Sequence, residues 1–223
     1  MKIIGHRGAR GLAPENTATS LRKALEHHVD MLEFDVRVTK DGVPVLHHDA
    51  KLNGPNRLKL SEHSYGELKE HFPGLMTLEE ALDQIAGKAV PYIEVKHGEL
   101  VRPIAGAIKS RLKSGAYSPD GLRIASKSQK TLRELHEKLP DIPVIVIEPW
   151  SGVRAHRRAK ELGAQEIAMN QLWLWWGFIR GFKNSDKKLY AYTLNNSAKA
   201  KRWQKWGLAG VITDYPDRFS SRG

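Results

Sequence analysis

The chain has 223 residues, 40% of them hydrophobic, no cysteine, and a formal net charge of +11 at pH 7. That length suits one domain, residues 1–223, with a sizeable core; the absence of cysteine excludes a disulfide framework, a thiolate nucleophile and a Cys-ligated zinc, and no apolar run reaches the roughly 18 residues that a membrane-spanning helix needs. The basic balance draws anionic partners to the surface without choosing among phosphodiesters, nucleic acid and acidic lipid headgroups.

The N-terminal run MKIIGHRGAR lacks the apolar core of a signal peptide, so a cytoplasmic protein is expected. In chain order, β-branched runs bounded by turn residues predict strands at 2–5, 31–38 with a continuation at 43–47, 89–95, 122–125, 143–147, 166–169, 188–193 and 210–213. Amphipathic segments between them predict helices at 17–28, 77–85, 99–114, 128–138, 152–162, 172–181 and 197–206. Thr77 and Glu80 are spaced as a capping box, and Gly87 and Gly163 stand where left-handed C-terminal caps are wanted. Gly42 interrupts the second strand region. Strands alternating with helices over this length predict a parallel α/β fold. The GHRGARGLAPEN segment lacks the G-x-G-x-x-G spacing of a doubly wound sheet, which leaves a (β/α)8 TIM-type barrel as the expected architecture. Few residues follow Pro216, so its last helix is expected to be short or missing.

Glu33 and Asp35 lie two apart in LEFDVRV and share one face of a strand, with Leu32, Phe34 and Val36 on the other. Two unpaired carboxylates inside a barrel repel each other, and a divalent cation removes the conflict; pairing with basic neighbours on a solvated edge is the alternative. YIEVKH repeats the pattern, with Glu94 and Lys96 on a shared face. An adjacent strand there brings a third oxygen donor, a set that suits Mg²⁺ or Ca²⁺ better than zinc. Lys96 either offers its charge to a phosphate or neutralises Glu94. His6 and His48 fall at strand C-terminal ends, where barrel enzymes keep their catalytic groups, and two imidazoles can serve as general acid and general base. His47 is expected to face away from His48. The histidines at 27, 28, 63, 71, 136 and 156 read as surface or helix-end residues. Trp173, Trp175 and Trp176 cluster on a predicted helix near the barrel top, beside Arg180 and Lys183. Packing against the neighbouring helix is the expected role, and contact with a membrane surface is the alternative.

Taken together these residues resemble the glycerophosphodiester phosphodiesterase family. The matching stretches are HRG at His6 to Gly8, PENT at Pro14 to Thr17, EFD at Glu33 to Asp35, T-x-DG at Thr39 to Gly42, HD at His48 to Asp49, and EVK at Glu94 to Lys96. Weaker matches are YTLN at Tyr192 to Asn195 and ITDYPD at Ile212 to Asp217. The resemblance implies a barrel, a divalent cation, Mg²⁺ or Ca²⁺, held by Glu33, Asp35 and Glu94, and His6 with His48 as the acid/base pair. It places Arg7 and Lys96 on the phosphate, Glu15 near the metal, and Tyr192 against the glycerol carbons. The implied reaction is hydrolysis of a small-molecule glycerophosphodiester to sn-glycerol 3-phosphate and an alcohol, through attack by the glycerol 2-hydroxyl and opening of a cyclic phosphate. The chain departs from the family pattern in AKLNGPNRLKLSE after Asp49, in the short 50–75 segment, and in Lys127 where an aromatic is common. Rival readings are a lysophospholipase D-like or phospholipase C-like enzyme on a lipid, and a non-catalytic anion-binding barrel. Nucleic-acid binding lacks a motif or a basic stripe with stacking aromatics, and the composition sets no oligomeric state.

Overall fold

Eight strands that run parallel wrap into a closed barrel: β1 (Lys2–Gly5), β2 (Met31–Val38), β4 (Val90–Val95), β5 (Arg123–Ser126), β6 (Val144–Glu148), β7 (Glu166–Asn170), β8 (Lys188–Tyr192) and β9 (Gly210–Thr213). A short β3 (Pro44–Leu46) is added antiparallel to β2. The structure, a computed structural model, describes residues 1–52, 57–183 and 185–219, so residues 53–56 of the unusual run after Asp49 lie outside it. Closure is made by β1, which pairs with β2 through Ile4↔Met31 and with β9 through Ile4↔Ile212.

The eight α-helices among the described residues are α1 (Ala18–Glu26), α2 (Tyr65–His71), α3 (Leu78–Ile85), α4 (Val101–Lys113), α5 (Gln129–Lys138), α6 (Gly152–Glu161), α7 (Trp176–Lys183) and α8 (Ser197–Trp206). Seven follow the barrel strands in order, and α2 is additional. The expected capping box opens α3: Thr77 Oγ1 accepts the Glu80 N–H, and Glu80 reaches back to the Thr77 N–H at 2.7 Å. Past β9 the described residues hold only a 3-10 turn, Pro216–Arg218, as expected from the short tail. Among the described residues, no helix is long and apolar enough to cross a membrane.

Period-two alternation divides each strand between two cores. Leu32, Phe34, Val36, Ile93 and Val95 point outward into the layer beneath the helices. Ile4, Met31, Tyr92, Ile145, Ile147, Ala168, Tyr190 and Ile212 plug the barrel interior. Phe34 is fully buried, and truncating such a ring costs about 3–5 kcal/mol.

The fold corrects the expectation in three places. The 43–47 segment does not continue β2. Gly42, at φ 83°, takes a left-handed turn that an L side chain disfavours, and the chain reverses so that Val36 faces Leu46. Thr39 holds this turn, its N–H donating to the Val43 carbonyl at 3.0 Å. Helix α2 was not foreseen, being only seven residues long and too short for a periodic signal. The helix expected at 172–181 begins instead with a 3-10 turn, Gln171–Trp173, and α7 starts at Trp176.

Candidate active site

The C-terminal ends of the strands carry a cluster of polar residues inside the barrel; a separate ion pair, Arg123 Nε to Glu166 Oε2 at 2.9 Å, lies at the opposite ends of β5 and β7. Glu33, Asp35 and Glu94 each follow the inward alternation of β2 and β4, and all three are buried. One carboxylate oxygen from each lies within 4.8 Å of the others. The β2–β4 register sets this, because Asp35 pairs directly with Glu94.

The three acids are compensated unequally. Lys96 follows β4, two residues past Glu94, and its Nζ sits 2.6 Å from Glu94 Oε1 while also pairing with Asp35 Oδ1. The other Asp35 oxygen meets Arg7 Nε at 3.1 Å and accepts from Asn16 Nδ2 at 3.0 Å. Burial alone raises the proton affinity of Asp35, but the charges of Lys96 and Arg7 outweigh it and hold the carboxyl below its usual range. Among the described residues, Glu33 has only a backbone donor, the Arg7 N–H at 2.7 Å. Burial, followed by the charges of Asp35 and Glu94, pushes its proton affinity well above the carboxylate range. Three oxygen donors with one carboxylate lacking a cationic contact form a set that could hold a divalent cation.

The loop after β1 delivers the next layer. Arg7 at φ 50° and Gly8 at φ 81° are both left-handed, and a Cβ on Gly8 would lie 2.6 Å from the Ser20 carbonyl carbon. Only glycine fits this turn, which aims the Arg7 N–H at Glu33. Glu15 pairs with Arg7 NH1 at 2.7 Å and Arg10 NH1 at 3.6 Å. It therefore braces the arginines and does not join the three clustered carboxylates.

The two predicted histidines are held alike. His6 Nδ1 lies 2.6 Å from Asp214 Oδ1, and His48 Nδ1 lies 2.8 Å from Asp49 Oδ1. A carboxylate only accepts, so Nδ1 carries the proton in each ring and Nε2 is left free. Burial raises the Asp214 carboxyl, but hydrogen bonds from His6 and Asn195 win and keep it ionised. Burial lowers the proton affinity of His48, and the charge of Asp35 offsets this only in part. His47 turns away as expected, buried edge-on to Phe72.

Above the carboxylates lies a cavity of about 250 Å³ whose lining includes His6, Arg7, Glu33, Glu94, Lys96 and Tyr192. The Tyr192 hydroxyl is buried without a hydrogen-bond partner. Asp35, Glu15 and His48 do not belong to this lining. His48 stands further out, with about a third of its side chain exposed, because the chain has already left β3 at Leu46. Arg10, Lys127, Asn170 and Thr193 line the cavity without having been singled out as site residues. Lys127 Nζ sits 3.6 Å from Glu94 Oε1, so the position where an aromatic is common adds a positive charge. Asp214 was legible only as part of the ITDYPD match, and Arg10 only as one more base in the first loop.

The chain resembles known proteins along its whole length. A glycerophosphodiester phosphodiesterase of Bacillus subtilis (strain 168) is 31% identical over 253 aligned residues, covering 97% of this chain and 84% of that protein. A putative glycerophosphodiester phosphodiesterase of the same organism, YhdW, is 28% identical, covering 97% and 96%. Among solved structures, an Oleispira antarctica phosphodiesterase in complex with the product sn-glycerol-3-phosphate superposes with a TM-score of 0.87 at 25% identity, covering 99% of this chain and 96% of that one. Residues 6–218 match the model of the glycerophosphoryl diester phosphodiesterase family, and the chain belongs to that family of phosphoric diester hydrolases.

Proposed function

We propose that the chain, acting as one domain over 1–223, hydrolyses glycerophosphodiesters to sn-glycerol 3-phosphate and an alcohol. The observation that carries this reading is the three-carboxylate cluster within 4.8 Å beneath a cavity shared by His6, Arg7 and Lys96. The Bacillus relative bears the name of this activity, and the Oleispira structure holds its product.

In this reading Arg7 and Lys96 receive the phosphate charge, and the unpartnered Tyr192 hydroxyl packs against and bonds to the glycerol. The glycerol 2-hydroxyl attacks phosphorus, its proton goes to one histidine Nε2, and the other histidine protonates the departing alkoxide. His48, kept neutral by burial, suits the first of these steps; His6 suits the second in the form that carries a proton on Nε2 as well as on Nδ1, the cationic ring that faces Asp214. Water then opens the cyclic phosphate with the roles reversed. Attack from within the substrate gains its rate from proximity, and each proton transfer contributes about 10²–10⁴-fold. Glu33, Asp35 and Glu94 would hold Mg²⁺ or Ca²⁺, which supplies charge neutralisation to the phosphoryl oxygens.

The test compares glycerophosphocholine with its analogue lacking the 2-hydroxyl. Turnover of the first at least about 100-fold faster is expected, since the analogue cannot make the intramolecular attack. Equal turnover refutes the cyclic route, and no turnover of either refutes the hydrolysis. The exposed tryptophans near the cavity favour one second reading, cleavage of lysophospholipids by the same groups; turnover of lysophosphatidylcholine but not glycerophosphocholine would select it.

A further inference from the structure

The tryptophans are not packed against the neighbouring helix. Trp150, Val153, Leu172, Trp173, Trp175 and Trp176 are between 52% and 84% exposed, although an isolated surface apolar residue is ordinary and a cluster of this size is not. They come from the two adjacent segments that leave β6 and β7 at the cavity end of the barrel, where Ile147 and Asn170 line the cavity, and from the first residues of α6 and α7 that follow. The segments touch: Trp150 and Trp173 meet edge to face with ring centroids 6.3 Å apart. The Trp175 ring lies against Gly177, and the Phe178 ring against Gly152, so closely that a Cβ at either glycine would clash. The Trp150–Trp173 contact thus joins the two segments, and the glycine contacts fix their base.

The surroundings are cationic. Between 149 and 183 the chain carries six Lys or Arg residues against two Glu; Arg158 is buried and Arg154 pairs with Glu148 at 2.6 Å, which leaves Arg157, Lys160, Arg180 and Lys183 as the remaining exposed cations. The Arg180 guanidinium sits 5.5 Å from the Trp176 ring centroid. Indole combines a large apolar body with a polar N–H and settles at the level of lipid headgroups, while clustered Lys and Arg near it are attracted to anionic lipid. A second copy of this chain is disfavoured as the occupant, because like patches would bring like charges together.

We propose that this cluster is a docking face for an anionic lipid bilayer, with the mouth of the barrel turned toward the membrane surface. The inference does not depend on the reaction assigned to the cavity. It predicts peripheral attachment, with indoles inserted at headgroup depth and arginines on the lipid phosphates.

The test is co-sedimentation with vesicles of phosphatidylcholine alone or with about 30 mol% phosphatidylglycerol, using the wild type, W173S/W175S and R157E/R180E. The wild type should bind the anionic vesicles at least about tenfold more tightly than the neutral ones, and each double variant should lose at least about tenfold. Tryptophan fluorescence of the bound wild type should be quenched by phosphatidylcholine brominated on its acyl chains, a readout that needs no variant to fold. Hydrolysis of glycerophosphocholine, read in the same samples, separates failure of the reaction from failure of docking. The proposal is overturned if the wild type ignores anionic vesicles, if it binds without quenching, if W173S/W175S with wild-type circular dichroism binds undiminished, or if the wild type is a dimer that this variant dissolves.

Discussion

Replacing Glu33 by Gln should stabilise the metal-free protein while abolishing its response to metal. Glu33 is buried without a cationic contact, and its oxygen lies within 4.8 Å of those of Asp35 and Glu94. Two unit charges at 4.8 Å repel by about 3 kcal/mol at an effective dielectric near 20, a cost that the metal-free fold either carries or escapes by taking a proton onto Glu33, whose proton affinity is raised; glutamine avoids both. Attraction from Lys96 offsets part of the repulsion, so the net gain on removing the charge is smaller. The Gln carbonyl can still accept the Arg7 N–H, which limits the damage. At about 2–4 °C per kcal/mol for a chain of this size, the metal-free variant should melt about 5 °C higher than the wild type. Metal stabilises by binding only the folded chain, so Mg²⁺ or Ca²⁺ should raise the melting temperature of the wild type and leave the variant nearly unmoved. Differential scanning calorimetry in EDTA and in excess metal checks both. A variant that melts lower than the wild type in EDTA, or that gains as much from metal, refutes the reasoning.

Other perturbations read other parts of the site. Asp214→Asn leaves one acceptor oxygen where two are used, by His6 Nδ1 and by Asn195 Nδ2, and sets an N–H against the other donor, so kcat should fall about 100-fold in a direct assay of alcohol release. The folded-state proton affinity of Asp214 is depressed from its ordinary 3.8, so its stabilising contribution is complete above that pH and lost as pH falls through the lower folded value; acid titrations should show less stability lost below pH 3.8 in the variant. If His48 is the first proton acceptor, its depressed proton affinity places the acid limb of the kcat/KM profile below the ordinary histidine range, and a limb above that range refutes the assignment. Arg158 is buried and donates to the carbonyls of Ile147, Ser126 and Lys127 at 2.9, 3.3 and 3.0 Å. Arg158→Met leaves those oxygens unpaired at about 1–3 kcal/mol each if none finds water, so urea unfolding should show a loss of at least about 2 kcal/mol.

What could be read from the sequence was local and periodic. The two-residue spacing of Glu33, Asp35, Glu94 and Lys96 survives intact because a strand's alternation depends only on neighbours, and β2 and β4 then lie side by side. The barrel followed from the regular exchange of strand and helix patterns. Contacts made only when the barrel closes were harder. His6 and Asp214 are 208 positions apart, and only the pairing of β1 with β9 joins them. The reversal at Gly42 was visible as a break but not as a change of direction, since a left-handed glycine permits either. The Trp cluster was misjudged because helical periodicity says which side chains share a face and nothing about what covers it. Lys127 was noted as a departure, yet its approach to Glu94 depends on β5 lying beside β4.

The measurement that most directly tests the central claim is release of sn-glycerol 3-phosphate from glycerophosphocholine by the wild type and by His48→Ala, each with Mg²⁺, Ca²⁺ or EDTA. The account predicts release by the wild type with metal, loss of release in EDTA, and a fall of at least about 100-fold in the variant. Release that persists in EDTA, or that survives the loss of His48 at the wild-type rate, would contradict it.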